Sequence, residues 1–249
     1  MPMKKLNLFQ QASALAIIGC AIIFTGGPNA AMGAVTIYSN TNTYSGSSIE
    51  NSATGLVGGT EVTRMVADDI TFAPGSTGMS INELSFSAVN SGGSTTAARV
   101  RIGLWADDGA GGGPGTYLLS SAIPVTLAGG SLSLISLLAL DVPVPADGKI
   151  WAGEWFDNFG TSSTSTELDA LGVGFFDPPT VGSSIDEIFA TGGPGFVDGN
   201  NPAGSVFSFG GSPVANLGFT FNAVPEPGSI ALGVLGGLAL LQARRSRKA

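Results

Sequence analysis

Histidine is absent from the chain, and cysteine occurs once, at position 20. Without histidine, a Ser-His-Asp triad, a Cys-His dyad and a His-ligated zinc or copper site are all excluded. Because Cys20 lies in an apolar N-terminal segment, disulfides and cysteine-ligated metals are excluded for the rest of the chain as well. No Gly-x-x-x-x-Gly-Lys loop or Rossmann fingerprint occurs either. The sequence therefore predicts a protein that is not an enzyme and holds no organic cofactor.

Basic residues are scarce in the central part of the chain. Residues 34–223 contain 17 acidic residues but only four basic ones, a net charge of −13. Such a surface repels nucleic acid and anionic lipid, so nucleic-acid partners are not expected. The balance is typical of a soluble extracellular protein that collects divalent cations.

The N-terminal segment has the layout of a secretory signal peptide. Lys4 and Lys5 precede an apolar run from Ala12 to Phe24, and small residues follow up to Gly33. We expect residues 1–33 to form a signal helix, with cleavage after Gly33 or the next residue. A lipidated Cys20 is the alternative. The apolar run continues past that cysteine, which favours its removal with the signal.

The C-terminal segment, residues 224–249, has three parts in a fixed order. A proline-containing motif comes first, an apolar run from Ile230 to Leu241 follows, and a basic tail closes the chain. The motif consists of Val224, Pro225, Glu226 and Pro227, and the basic residues are Arg244, Arg245, Arg247 and Lys248. Prolines keep the peptide before the apolar run extended, and the basic cluster stops transfer across the membrane.

This tail resembles the PEP-CTERM sorting signal of Gram-negative and related environmental bacteria, which an exosortase recognises. The resemblance implies that the C-terminal segment is a hydrophobic helix that anchors the chain in the membrane until an exosortase cuts it. It also implies export through the inner membrane to the cell surface or the medium, in association with exopolysaccharide.

Residues 34–223 show the period-two alternation of β-strands. In Arg99–Trp105 the arginines lie on one face and Val100, Ile102 and Leu104 on the other. Further strands are predicted at 118–127, 132–142 and 150–156, separated by Gly, Ser, Pro and Asn clusters. Roughly ten short strands without interposed helices predict one all-β domain, an antiparallel β-sandwich that is jelly-roll-like.

A second, shorter stretch supports the same fold. An aromatic strand end at Trp105, an acidic glycine-rich loop and Pro114-Gly115-Thr116 occur in succession. This pattern resembles a hairpin of secreted bacterial β-sandwich modules, and Asp68–Phe72 resembles their first core strand. The resemblance implies an anchored surface protein.

Two alternatives to a purely structural role remain open. Trp105 shares a strand face with Arg99 and Arg101, so we expect it to be exposed and to stack on a sugar ring in a carbohydrate-binding module. A glycan-cleaving enzyme would instead need paired carboxylates, for which Glu154 and Asp157 are the candidates.

Acidic turns are candidate calcium ligands. Asp107, Asp108 and Asp198 lie in short glycine-containing loops, and carboxylate oxygens are the ligands that Ca²⁺ prefers. The same residue types are also what ordinary turns require. A structural Ca²⁺ is therefore the one metal that the sequence suggests, against plain turn chemistry as the alternative.

Overall fold

A computed structural model describes residues 33–193, 199–211 and 214–226. The predicted signal helix before Gly33 and the apolar and basic parts of the C-terminal segment lie outside these residues. No helix among the described residues is long and apolar enough to span a bilayer. The regular elements are β1 (Val35–Ser39), β2 (Tyr44–Glu50), β3 (Ala53–Val57), β4 (Thr60–Thr63), β5 (Val66–Thr71), β6 (Met79–Asn90), β7 (Thr96–Ala106), β8 (Tyr117–Leu127), β9 (Ser131–Pro143), β10 (Lys149–Asp157), α1 (Ser165–Leu168), β11 (Leu171–Phe176), β12 (Ile188–Thr191), β13 (Gly204–Phe207) and β14 (Phe219–Pro225).

The strands form two antiparallel sheets. In the first, the long strand β6 pairs along one edge with β9 and along the other with β14 and then β11; β1 lies outside β14, and β2 outside β11. In the second sheet, six strands lie in the order β8, β7, β10, β5, β12 and β13. Beyond the end of β5, β10 pairs instead with β4, and β3 lies outside β4. The predicted antiparallel, all-β sandwich is confirmed.

The main core lies between the sheets and follows the predicted alternation. Val100, Ile102 and Leu104 of β7 are buried in it, as is Phe86 of β6 and Phe221 of β14. Burial of each such side chain contributes about 1.5–3 kcal/mol, so packing alone can support a domain that lacks disulfides.

The predicted strands at 118–127, 132–142 and 150–156 match β8, β9 and β10 to within one residue at each end. A single helical turn, α1, begins after Thr164, whose side chain forms a capping box with Glu167. At the other end of the domain, β14 continues to Pro225, two residues past the expected limit of the sandwich at 223.

Candidate functional site

The outer face of the second sheet holds most of the residues that the sequence singled out. β7 and β10 are central strands there, and their opposed residues form a ladder of four cross-strand pairs. These pairs are Trp105 with Trp151, Gly103 with Gly153, Arg101 with Trp155, and Arg99 with Asp157. Aromatic rings therefore occupy one end of the ladder and an ion pair the other.

Trp105 lies on the face that the alternation predicts, but the expectation that it is exposed is wrong. Its side chain is fully buried, and its indole N–H donates to the carbonyl of Gly199, 2.8 Å away. The ring lies over Gly103 and Gly153, where a Cβ atom would collide with it. This face is covered by chain that is distant in sequence, so Trp105 is not available for stacking on a sugar.

The other two tryptophans are buried in the same way. Trp151 and Trp155 form, with Trp105, Met65 and Phe189, the centre of a second, smaller hydrophobic cluster on the outside of the sheet. A sheet with apolar clusters on both faces explains why β10 is buried along almost its whole length.

The exposed aromatic side chain of this region is Phe159, two residues after the end of β10. It is 61% exposed, and the guanidinium of Arg99 lies over its ring, 4.4 Å from the centroid. The buried carboxylate of Asp157 fixes both groups. It accepts hydrogen bonds from Nε and Nη2 of Arg99 and from the backbone N–H of Phe159. The ring is therefore presented to solvent by an anchored loop and not by a free one.

The two candidate catalytic carboxylates do not share a face. Asp157 lies on the outer face and binds Arg99, with Nη2 2.7 Å from Oδ2. Glu154 points into the main core beside Ala152 and Phe156, and no hydrogen-bond partner lies near either of its carboxylate oxygens. Burial raises the pKa of Glu154 well above its usual range and so favours the neutral form of its carboxyl group. These two residues cannot attack one glycosidic bond from their present positions.

The candidate calcium ligands have other contacts. Asp107 accepts a hydrogen bond from the indole N–H of Trp151 at 2.9 Å and lies 3.8 Å from Nζ of Lys149. Asp108 accepts from the backbone N–H and the hydroxyl of Thr116, and these hydrogen bonds lower its pKa. Asp198 lies outside the described residues. Within them, no group of three or more acidic residues has the geometry of a metal site.

A shallow cleft beside Trp151 brings together Asp69, Asp107, Glu187 and Lys149. Burial, opposed by the hydrogen bond from the Ile185 N–H and assisted by the charge of Glu187, raises the pKa of Asp69 to about 6. The cleft encloses about 80 Å³. Typical small-molecule sites measure roughly 300–1,000 Å³, so this cleft does not have the size of an active site.

Sequence reasoning missed the exposure of Phe159 and the burial of Glu154. Phe159 could have been noticed, because an aromatic residue between Asn158 and Gly160 stands in a turn, where side chains face water. Glu154 carries no such signal, since a carboxylate within an apolar strand is ordinarily expected on the solvent face.

Comparison of the chain with known protein families, with curated proteins and with solved structures found no match.

Proposed function

We propose that the chain is an exported, non-catalytic protein of the cell surface or extracellular matrix, sorted and processed by an exosortase and associated with exopolysaccharide. The observation that carries this proposal is the three-part tail, which begins where the sheet ends. Pro225 is the last residue of β14, and Pro227, the apolar run and the basic cluster follow within 24 residues. The absence of histidine from the chain supports the non-catalytic part.

We also propose that the sandwich is a jelly roll. The strand orders β1–β14–β6–β9 and β5–β10–β7–β8 support this assignment. Apart from the consecutive strands β7 and β8, neighbours in these two orders come from distant parts of the chain, as two interleaved Greek keys require. The remaining strands extend these two sheets at their ends.

The position of β14 bears on where an exosortase would cut. β14 lies between β1 and β6, and Val224 and Pro225 pair with Ser80 and Met79. The N–H of Glu226 still donates to the carbonyl of Gly78, at 3.2 Å. A cut before Val224 would shorten a central strand, whereas a cut at or after Glu226 leaves it whole. The proposal therefore places the cut at or after Glu226.

Intact-mass analysis of the exported protein tests the proposal. We expect a species that begins near Ala34 and has lost the apolar run and Arg244-Arg245. The matched control is the same host without exosortase, in which the uncut tail should remain on the protein. A mature protein that keeps the basic tail in the normal host would contradict processing and leave a simple membrane anchor.

Phe159 favours one way of contacting polysaccharide. One face of its ring packs against Arg99, and the exposed side is free to stack on a sugar ring. We propose Phe159, in place of the buried Trp105, as the residue that contacts exopolysaccharide.

Retention of the protein on immobilised host exopolysaccharide separates this contact from the sorting proposal. Phe159→Ala should reduce retention. Leu56→Ala, which changes a comparably exposed apolar side chain on β3, should not. Equal retention of both variants would remove Phe159 as the contact, and would leave the intact-mass result unaffected.

A further inference from the structure

One flank of the sandwich ends in a long strand with a free edge. β9 pairs with β6 from Ser131 to Pro143, and within residues 33–193, 199–211 and 214–226 no strand pairs with its other edge. Its pairing is regular over Ser131–Leu138, before a bulge near Ala139, whose φ is 57°. The regular part gives an edge of about 26 Å, at about 3.3 Å per residue, with unpaired backbone N–H and C=O groups.

The composition of this edge differs from that of protected edges. Proteins protect free edges with lysine, proline, bulges or very short strands. β8, the edge strand of the second sheet, contains Pro124 as the eighth of its eleven residues, and β3 and β13 are only five and four residues long. β9 has neither a charged residue nor a proline from Ser131 to Leu140.

The low charge of this flank lets two copies approach each other there. The domain carries a net charge of −13 over residues 34–223, so two copies repel each other over most orientations. No charged residue occurs between Asp108 and Asp141, a stretch that contains both β8 and β9. Two β9 edges can therefore approach without placing carboxylates of that stretch against one another.

Apolar side chains accompany the free backbone groups. Leu134 is 39% exposed on the outer face of the first sheet, and Leu132 and Leu138 are half-buried on the same face. The alternate residues Ile135 and Leu137 are only partly buried at the rim of the main core. Pairing of the edge would cover side chains on both faces.

We propose that two copies of this chain pair antiparallel through the free edges of β9, which joins their first sheets into one continuous sheet. A strand edge is self-complementary under a two-fold axis, since residue i of one copy meets residue j of the other and the reverse also holds. Opposed residues of an antiparallel pair share a face, so one residue lies opposite its own copy and the axis passes between the two. Leu134 and Ile135 are the central choices for this residue. The inference rests on the sheet edge alone and does not depend on the proposed sorting or sugar contact.

Sedimentation velocity of the exported protein over a concentration series, combined with amide hydrogen exchange, tests this pairing. Leu134→Lys sets two like charges close together across the two-fold axis, while a side chain this exposed leaves the single copy folded. Leu56→Lys is the matched control, because it adds the same charge at an exposed leucine on a different strand. We expect wild type and L56K to sediment as dimers, with twice the mass of one copy, and L134K to sediment as a monomer.

Exchange in wild-type protein provides a test that needs no variant. Protection of amides in Ser131–Leu138 should rise with protein concentration, by about tenfold or more, while the other strands stay unchanged. A wild-type protein that stays monomeric with rapid exchange at the β9 edge would overturn the proposal. Dimers that persist in L134K, or β9 amides protected by a different protein, would overturn it as well.

Discussion

Gly103 and Gly153 face each other across β7 and β10, and the missing side chains of this pair create the space in which the indole of Trp105 lies. The ring spans both strands and comes within 6.4 Å of the Trp155 ring, measured between centroids. The second hydrophobic cluster therefore depends on two residues that contribute no side chain to it.

A methyl group at either glycine should weaken the domain. Gly103→Ala places a Cβ against the Trp105 ring, and overpacking of this kind costs about 1–3 kcal/mol in free energy of unfolding. Denaturant unfolding followed by tryptophan fluorescence measures the loss. Gly93→Ala is the control, because a Cβ there meets nothing within 4 Å. Equal stability of the two variants would show that the ring does not occupy this space.

Removal of the ring should cost more, and should cancel the effect of the methyl group. Trp105→Ala deletes a fully buried side chain, a change that typically costs about 3–5 kcal/mol. In the double variant G103A/W105A the methyl group fills part of the cavity that the ring leaves. The double variant should therefore lose less free energy of unfolding than the sum of the losses of the two single variants. Additive losses in this double-mutant cycle would contradict direct contact between the two positions.

The position of Trp105 shows how far the sequence could predict this structure. Alternation in β7 correctly assigned its side chain to the face of Arg99 and Arg101, because side-chain direction is a local property of a strand. Exposure is not local. The carbonyl that binds the indole belongs to Gly199, 94 residues further along the chain. Period-two reasoning treats the face opposite the core as solvent, and here a second cluster occupies it.

Glu154 shows the same limit in a central strand. β10 is buried on both faces, so its sequence, Lys-Ile-Trp-Ala-Gly-Glu-Trp-Phe-Asp, contains no alternation that would assign the carboxylate to one side. The sequence did predict the two ends of β10 to within one residue. The pairing of the strands decides which carboxylates lie close together and which lie on opposite faces of the sheet. The sequence does not specify this pairing.

The buried Glu154 carboxyl should make stability depend on pH in a defined direction. Well below pH ~4.3, the ordinary pKa of glutamate, this group is protonated in both folded and unfolded chains. As the pH rises, the unfolded chain loses the proton while burial keeps it on the folded one, because burial raises the pKa of Glu154. The unfolded state is thereby favoured, by up to about 1.4 kcal/mol per pH unit until the folded pKa is reached.

Glu154→Gln should remove this dependence, because glutamine has the shape of the neutral acid and does not ionise. We expect the variant to match wild type at low pH and to exceed it increasingly as the pH rises towards the raised pKa of Glu154, in denaturant unfolding at each pH. Glu61→Gln, at a half-buried position on β4, is the control and should follow the wild-type curve. A wild-type curve parallel to that of E154Q would mean that the buried carboxyl is ionised or exposed.

The tail motif can be tested without changing a strand, because Pro225 belongs to β14 whereas Pro227 follows the described residues. Pro225 is paired with Met79 in β14, so its replacement changes a central strand as well as the motif. Pro227 comes after Glu226 in the sequence, and the N–H of Glu226 makes the last described hydrogen bond of the tail to the sandwich, to Gly78. Pro227→Ala lets a helix extend back from the apolar run, since alanine propagates a helix and proline does not. We expect uncut precursor in the membrane fraction, detected by intact mass, with the unfolding curve of the domain unchanged.

Pro74→Ala, in an exposed turn after β5, makes the same substitution outside the motif and should leave processing normal. Normal release of the P227A variant would show that the proline is not what the processing enzyme recognises, even though the fold is intact.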